Sequence, residues 1–396
     1  MKGEALRVAC LLLVCAASSA TAQESRFTYA GDVSATVGSA DPGFFNYTDY
    51  EHSALRMLRI DLSGAWHTNE HVSFLGEVRT ENFDEIEPYA AYVRIRPWKD
   101  RDFDIQAGRV PPTFGGFARR TYATDNPLIG YPLAYQYLTS IRPDSLPATA
   151  AELVRKKGLG WEDVFSIGSQ VRDRGVPLVS AFRWDTGVQV HAATHDKMFA
   201  ATASITTGTV SNPLFKDDNS GRQLAGRFET RPVVGLVIGV SGARGPFVTS
   251  DAARAAVGDG HESDLTQTAW GVDVEYSRDH YLVRLESIAS DWTLPLVRQP
   301  FLQLPLRAVS TSVEGRYKIA PGFYVAARID HLGFSDVDPG TGATPWDAPV
   351  SRLEMGGGVS IQRNLLLKLV YQYNTRDGGP LDHTAHQSAA QLVFWF

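Results

Sequence analysis

Seven arginines are the residues of this sequence best suited to act on a charged solute: Arg59, Arg79, Arg94, Arg96, Arg109, Arg119 and Arg120. A guanidinium keeps its charge at physiological pH and presents its donors in one plane, so a series of them could attract anions or steer charged molecules. In the competing interpretation each arginine pairs with a nearby carboxylate, such as Asp61, Glu77 or Asp104, and stiffens the structure. Basic and acidic residues are nearly equal in number on the strand faces that carry these arginines, which favours pairing overall. A local excess of positive charge near a constriction stays an alternative.

The histidines do not form a recognisable catalytic pattern. The pairs closest in sequence are Asp330 with His331, His191 with His195, and His383 with His386. Adjacent side chains in an extended segment point to opposite faces, and a spacing of four suits a metal pair on a helix rather than on a strand. No Gly-x-Ser-x-Gly motif occurs. We therefore predict no enzyme and no cofactor, and keep an outer-membrane hydrolase with a site on its outer loops as an alternative.

The segments that carry these residues have a period of two. The last one places Ala390, Leu392, Phe394 and Phe396 on one face, and fifteen earlier segments alternate in the same way. Arg59, for example, lies between the apolar Leu58 and Ile60. Because lipid accepts only helices and closed barrels, residues 23–396 are predicted to form one all-β, antiparallel transmembrane barrel of about 16 strands. The same alternation would fit a soluble β-sandwich, but charged inward positions disfavour a packed core.

The first 22 residues fit a signal peptide. Lys2 and Arg7 precede an apolar run over residues 8–17, and small residues at 20 and 22 suit the signal peptidase. Export would place the protein in the outer membrane of a Gram-negative bacterium. Both cysteines lie in this leader, so the exported chain has no disulfide and no thiolate metal site.

Charge and hydropathy exclude two further classes of protein, nucleic-acid-binding proteins and membrane proteins that cross the bilayer with helices. Without the leader, the 38 basic and 44 acidic residues become 36 and 43, a net charge near −7. Nucleic acid is an improbable partner for an acidic chain, because that affinity depends on a basic surface. Beyond the leader the longest apolar run is residues 233–240, far below the roughly 20 residues of a membrane helix.

The connections alternate between short and long, as in a barrel with periplasmic turns and outer loops. One connection, residues 110–179, is much longer than the others and contains a helix-like stretch over residues 148–157. Its tyrosines and leucines are too apolar for a loop in water. We therefore expect this third long extracellular loop to fold into the barrel as a constriction or a plug.

This architecture resembles the outer-membrane porins, both the general and the phosphate-selective kinds. The resemblance covers residues 23–396 and depends on the leader, the strand number, the long third loop, the terminal Phe396 and the local sequence of residues 106–115. It implies an aqueous channel narrowed by the third loop, a homotrimer, and a terminal aromatic that the barrel-assembly machinery recognises.

The sequence thus predicts passive diffusion of small hydrophilic solutes, including anions, through a water-filled lumen in outer-membrane lipid. The seven arginines are the predicted pore-lining or constriction residues, and Phe396 is the predicted assembly signal. A closed structural or adhesive barrel is the second alternative. Solute identity and charge selectivity stay open at this point.

Overall fold

The computed structural model describes residues 26–47, 52–118, 120–181, 184–219, 221–259, 262–294 and 305–396. The predicted leader and Arg119 therefore lie outside the described residues. Sixteen antiparallel strands close into one barrel, and the first strand pairs with the last. The predicted all-β barrel is confirmed.

The described residues form twenty strands, of which two short pairs, β6 with β7 and β16 with β17, lie outside the barrel sheet. The strands are β1 (Phe27–Gly38), β2 (Leu58–His67), β3 (Val72–Glu81), β4 (Glu85–Ile95), β5 (Asp102–Val110), β6 (Ser145–Leu146), β7 (Ile167–Gly168), β8 (Asp185–Ala193), β9 (Phe199–Thr206), β10 (Gln223–Thr230), β11 (Leu236–Pro246), β12 (Thr266–Arg278), β13 (Tyr281–Trp292), β14 (Leu306–Ala320), β15 (Phe323–Phe334), β16 (Asp336–Val337), β17 (Thr344–Pro345), β18 (Val350–Gln362), β19 (Leu365–Arg376) and β20 (Thr384–Trp395). Each barrel strand is hydrogen-bonded to a neighbour on both sides, so the sheet has no free edge.

The two faces of the sheet differ in polarity, as the period of two predicts. Large apolar side chains such as Phe74, Val272 and Ile329 are exposed on the outer surface. Charged side chains such as Arg328 and Glu354 are buried on the inner face, which is the lumen wall. Aromatic residues gather where strands meet the short turns on the outer surface, and include Phe27, Trp66, Tyr281, Tyr317 and Phe396.

The two ends of the barrel are distinct. Short turns such as residues 279–280 and 321–322 lie at one end, which we call the turn end, and long connections lie at the other, the loop end. One connection at the loop end departs from this rule, because residues 82–84 join β3 to β4 directly. Asn82 and Phe83 adopt φ angles of 52° and 62°, which lets the chain reverse within this tight turn.

Residues 111–184, which we call the inserted segment, connect β5 to β8 and pack inside the loop end. The described part of this segment contains β6, β7 and two short helices, α1 (Leu133–Gln136) and α2 (Ala150–Arg155). α2 lies within the predicted stretch 148–157 and begins after Thr149, whose side chain accepts a hydrogen bond from the Glu152 amide. A third helix, α3 (Ser250–Val257), lies in the connection between β11 and β12. None of the described helices is long and apolar enough to cross a bilayer.

The main apolar core lies at the loop end and is built largely by the inserted segment. Its buried side chains include Phe114, Phe117, Tyr135, Leu146 and Phe165, and they pack with Trp292 and Trp346 from other connections and strand ends. Burial of several large rings is the main driving force that holds such a segment inside the barrel, at roughly 25 cal/mol for each Å² of apolar surface removed from water.

Candidate functional site

A row of alternating charges crosses five neighbouring strands of the lumen wall. The row, which we call the charge row, consists of Glu275, Arg284, Glu314, Arg328 and Glu354, and each member lies directly opposite the next in the strand register. The ion pairs between them have N to O distances of 2.9 Å on both sides of Arg284, then 3.1 Å and 2.6 Å on the two sides of Arg328. Opposite charges at directly paired positions stabilise neighbouring strands, so the row stiffens this part of the wall.

The inserted segment is attached to one end of the charge row through main-chain atoms. The amide of Gly130 donates to the Glu354 carboxylate at 2.9 Å, and Arg328 Nη2 donates to the Gly130 carbonyl at 2.6 Å. Beside them the Lys368 ammonium donates to the carbonyl oxygens of Ala123, Asn126 and Leu128. Charge-assisted bonds of this kind are the stronger hydrogen bonds in proteins, so they fix the path of residues 123–130 across the lumen.

A second set of contacts attaches the segment to the opposite side of the wall. The Tyr122 hydroxyl donates to Glu77 at 2.7 Å, and the Thr124 amide donates to Asp32 at 3.2 Å. Arg59 donates to the Tyr131 hydroxyl. The segment is therefore bonded to β1, β2 and β3 as well as to β15, β18 and β19.

A third attachment lies near the middle of β12 and β13. The Gly116 amide and the Tyr135 hydroxyl both donate to Oε1 of Glu286, at 2.7 Å and 2.6 Å. Burial and the adjacent Glu286 raise the pKa of Tyr135 well above 10.0, so its phenol stays protonated and can donate. Arg120 Nη2 lies 2.6 Å from Glu275, which joins the segment to the other end of the charge row.

A charged cavity of about 330 Å³ remains between the inserted segment and strands β10 to β13. It is lined by Gly115, Gly116, Arg120, Asp125, Arg227, Glu229, Val237, Asp273 and Arg284. Burial raises the pKa of the Asp125 carboxyl, although the nearby Arg120 opposes that shift. Both signs of charge thus face a space large enough for a small hydrated solute.

Three of the predicted arginines have carboxylate partners. Arg59 lies 2.6 Å from Glu81, Arg79 donates to Asp61, and Arg120 contacts Glu275. Arg59 and Arg79 are buried in the lumen wall. For these residues the structure favours the pairing interpretation over a free positive ladder.

Three further predicted arginines that the structure describes lie apart from the charged cavity. Arg109 is buried at the end of β5, with its guanidinium 5.3 Å from the centre of the Phe215 ring. Arg94 is half-buried on β4, opposite Gln106 of the lumen wall. Arg96 is exposed one residue beyond the end of β4, at the turn end, where its main chain pairs with His71. The structure therefore places Arg94, Arg96 and Arg109 apart from Arg120 and the charged cavity, and a joint constriction of the seven arginines stays a prediction.

Phe396 lies on the outer surface at the seam where β20 meets β1. Its main-chain N and O each bond to Gly31 at 3.1 Å. A Cβ at Gly31 would lie 2.4 Å from the Phe396 ring, so the ring needs the glycine beneath it. A role for Phe396 in assembly stays a prediction.

The histidine pairs do not converge in the described residues. Asp330 is buried in the lumen, whereas His331 is exposed and contacts Ser351. His191 contacts Thr202, His383 contacts the Arg376 carbonyl, and His386 contacts the Tyr371 hydroxyl. These contacts do not form a Ser-His-Asp arrangement.

The residues that sequence reasoning did not single out are those that hold the inserted segment: Glu286, Arg328, Glu354 and Lys368. Alternation alone placed all four of them on the lumen side among many similar residues. The only additional signal was their charge. A lumen narrowed by the third loop would bury these side chains, and a buried charge needs a partner.

The sequence matches neither a protein-family model nor a curated protein. Several solved structures are similar in fold. OmpT, an outer membrane protein of Vibrio cholerae, shares 10% identity at a TM-score of 0.54, covering 96% of this chain and 100% of its own. OmpF of Salmonella typhi, in complex with daunomycin, shares 10% identity at 0.55, covering 93% and 97%. An anion-selective porin from Comamonas acidovorans shares 9% identity at 0.55, covering 93% and 99%.

The fold is that of an outer-membrane porin. Coverage is nearly complete on both sides of each comparison, and the barrel has the same closed construction. The predicted resemblance to porins is confirmed at the level of the fold. At such low identity the comparisons carry no information on the solute, so function has to be argued from the lumen itself.

Proposed function

We propose that this protein is a non-enzymatic outer-membrane channel, a porin that lets small hydrophilic solutes diffuse passively past the inserted segment. The observation that carries the proposal is the charged cavity of about 330 Å³ beside that segment, within a closed barrel. A wall of buried ion pairs keeps the lumen rigid, and charged groups facing the remaining space can replace part of the hydration shell of a solute.

The inserted segment acts in this proposal as a fixed constriction. Its attachments to β1, β3, β13, β18 and β19 surround the lumen, and they restrict passage to small solutes. If the inserted segment only blocked the lumen, apolar packing would be sufficient. Charged side chains such as Arg120 and Asp125 would then not need to face a cavity.

Conductance in planar lipid bilayers tests the proposal. Refolded protein is first shown to be folded by its altered gel mobility without heating, and a heated sample serves as the control. We expect stable, ohmic current steps from the folded sample alone. Folded protein that inserts without conducting would overturn the channel and support a closed structural barrel.

We further propose that a preference for anions depends on Arg94 and Arg96, two predicted arginines for which the described residues provide no carboxylate partner. The test is the reversal potential in a salt gradient. Arg94→Ala and Arg96→Ala together should move it towards cations. Arg307→Ala, at an exposed ion pair with Asp291, is the control and should leave it unchanged.

We propose a homotrimer as the assembly in the membrane, because one structure of Vibrio cholerae OmpT is of a trimer form. Native mass spectrometry of the detergent-solubilised protein should give three times the mass of the chain. A monomer at all protein concentrations would contradict the trimer and leave the channel proposal intact.

A further inference from the structure

The lumen wall of β1 to β4 carries fewer charges near the turn end than elsewhere. A recess of about 270 Å³ opens there, and most of its inward side chains are small or apolar, namely Ala30, Ser63, Ala65, Leu75 and Ala90, with Thr28 and the carboxylate of Glu77 also in the lining. Ala30 is exposed although it lies on the inner face, in line with the buried Asp32. Exposed apolar surface inside a water-filled lumen is unfavourable unless something covers it at least part of the time.

Two aromatic rings border this recess. Trp184, the residue before β8, lies with its ring centre 6.2 Å from Tyr92 and 5.4 Å from Tyr89. Trp184 and Tyr92 are only half-buried and line the recess, whereas Tyr89 is fully buried behind them. The rings therefore offer planar apolar surface to the lumen, which suits a solute that has a flat apolar face.

A cation lies on the same face of β4 as Tyr92. Arg94 follows Tyr92 by two residues on β4, so both side chains point to the lumen and their Cα atoms are about 7 Å apart. Among the described residues the Arg94 guanidinium has no ion pair and no hydrogen bond. Two carboxylates on neighbouring strands already accept hydrogen bonds: Asp104 accepts from Gln106 at 2.7 Å, and one oxygen of Glu77 accepts from Tyr122 at 2.7 Å.

We propose that this recess is a binding subsite for small aromatic carboxylates. The ring of the solute would lie against Trp184 and Tyr92 above the alanine floor, and its carboxylate would accept hydrogen bonds from the Arg94 guanidinium. This inference rests on the proposed channel and names one class of solute that it carries. A recess of about 270 Å³ is at the small end for organic ligands, which limits the solute to a single ring.

Neighbouring classes of solute fit less well. A simple inorganic or aliphatic anion would use Arg94 but leave the alanine floor and the rings uncovered. An aromatic ammonium ion would use the rings but meet the charge of Arg94, and Glu77, the carboxylate in the lining, already accepts a hydrogen bond from Tyr122. The recess therefore distinguishes solutes by ring and by charge together.

Calorimetry of the refolded protein in detergent tests the subsite without requiring conduction. The probes are benzoate, which has both features, acetate, which has no ring, and benzylammonium, which has the opposite charge. The variants are Trp184→Ala, Arg94→Gln and Ala65→Phe, the last of which fills the recess from β2. Trp98→Ala and Arg307→Gln are matched controls, because Trp98 and Arg307 are exposed residues that do not line the recess.

Benzoate should bind more tightly than both other probes, and each of the three variants should weaken it by about tenfold, whereas the controls should not. Equal binding of benzoate and acetate, or unchanged benzoate binding in Trp184→Ala and Ala65→Phe, would overturn the subsite. If the protein binds benzoate but does not conduct in bilayers, the channel fails and the subsite stands. If it conducts but does not bind benzoate, the reverse holds.

Discussion

At the scale of single residues, burial decides how much a charged side chain contributes to this barrel. Arg328 is fully buried in the lumen wall and contacts three carboxylates, those of Glu314, Asp330 and Glu354. Arg307 makes one pair on the surface, where water screens the interaction. The two arginines therefore form a matched comparison within one protein.

Replacing Arg328 with methionine should destabilise the barrel by about 3–5 kcal/mol, because three carboxylates would lose their shared cation in a buried position. Arg307→Met should cost at most about 1 kcal/mol. Urea-induced unfolding of the refolded protein in lipid vesicles measures both. Equal effects would mean that the lumen around Arg328 is wetter than the structure indicates.

Asp347 gives a pH dependence at the loop end. Its buried carboxylate accepts from the amides of Ser140, Gly158 and Ala348, each at 2.7 Å, and so joins two parts of the inserted segment. Burial raises its pKa above 3.8 even against these bonds. The folded state thus binds the proton more tightly than the unfolded state, and stability from this group is greatest in acid and falls as the pH rises above 3.8.

Hydrogen exchange at the Gly158 amide, corrected for its intrinsic rate, measures this effect. The free energy of local opening should decrease as the pH rises above 3.8 in the natural protein, and much less in Asp347→Asn. A parallel pH dependence in both proteins would show that another group titrates.

The arginines also show what the sequence could reveal at this scale. Alternation predicted that Arg59 and Arg79 lie on the inner face of the sheet, where the structure buries them. The face on which a strand residue lies depends only on whether its position along the strand is odd or even. Their partners, Glu81 and Asp61, lie on neighbouring strands. Such pairing depends on the register between neighbouring strands, and the alternation within one strand does not determine that register.

At the scale of strands and helices, the register between neighbouring strands limits which residue pairs the sequence could predict. The two-residue turn at 279–280 aligns Glu275 with Arg284 without any irregularity, so this pair could be derived from the turn. The alignment of Glu314 with Arg328 instead depends on a bulge between Lys318 and Ala320. A bulge moves one strand by a residue relative to its partner, and nothing in the local pattern announces it.

The helices α2 and α3 differ in whether they were predicted from the sequence. α2 was predictable, because Thr149 and Glu152 form a start signal in front of a helical stretch. α3 was not predicted, although it has a comparable signal: Thr249 caps it, and an alanine-rich sequence follows. The helix therefore could have been found from its cap.

Gly175 tests how tightly the strands and turns of the inserted segment pack. A Cβ at this position would lie 1.8 Å from the Thr139 carbonyl oxygen, so an alanine must displace the chain. Gly175→Ala should weaken the bond from Val176 to Ile141, now 2.9 Å, and cost about 1–3 kcal/mol. Faster cleavage of the inserted segment by added protease would report the loosening.

Gly315→Ala is the control, because no atom lies within 4 Å of a Cβ placed there. It should leave the cleavage rate unchanged. Similar rates for both variants would mean that the path of residues 138–141 near Gly175 is not needed to hold the segment.

At the scale of the whole molecule, the closed barrel was predictable and the path of the inserted segment was not. Each barrel strand repeats the same signal, so errors in single strands do not change the result. The segment instead depends on contacts between residues far apart in sequence, such as Gly116 with Glu286 and Asn126 with Lys368. Its inward position was predictable from its apolar tyrosines and leucines, but its attachments required the structure.

Those attachments imply that the segment stays in place while the channel conducts, and a disulfide can test this. A Cβ at Gly116 would lie 3.3 Å from the Cβ of Asp273, close to the separation of about 3.5–4.5 Å in disulfides. Both natural cysteines, Cys10 and Cys15, lie in the predicted leader and should not interfere. Gly116→Cys with Asp273→Cys should therefore bridge the segment to β12.

If the segment is a fixed constriction, single-channel conductance of this double variant should be the same before and after reduction. The comparison uses one protein in two redox states, so the lost pairing of Asp273 with Arg227 affects both equally. A several-fold rise in conductance on reduction would mean that the segment has to leave the wall to open the lumen. In that case the hydrogen bonds from Gly116 and Tyr135 to Glu286 would describe a closed state, and the charged cavity would be only part of the conducting path.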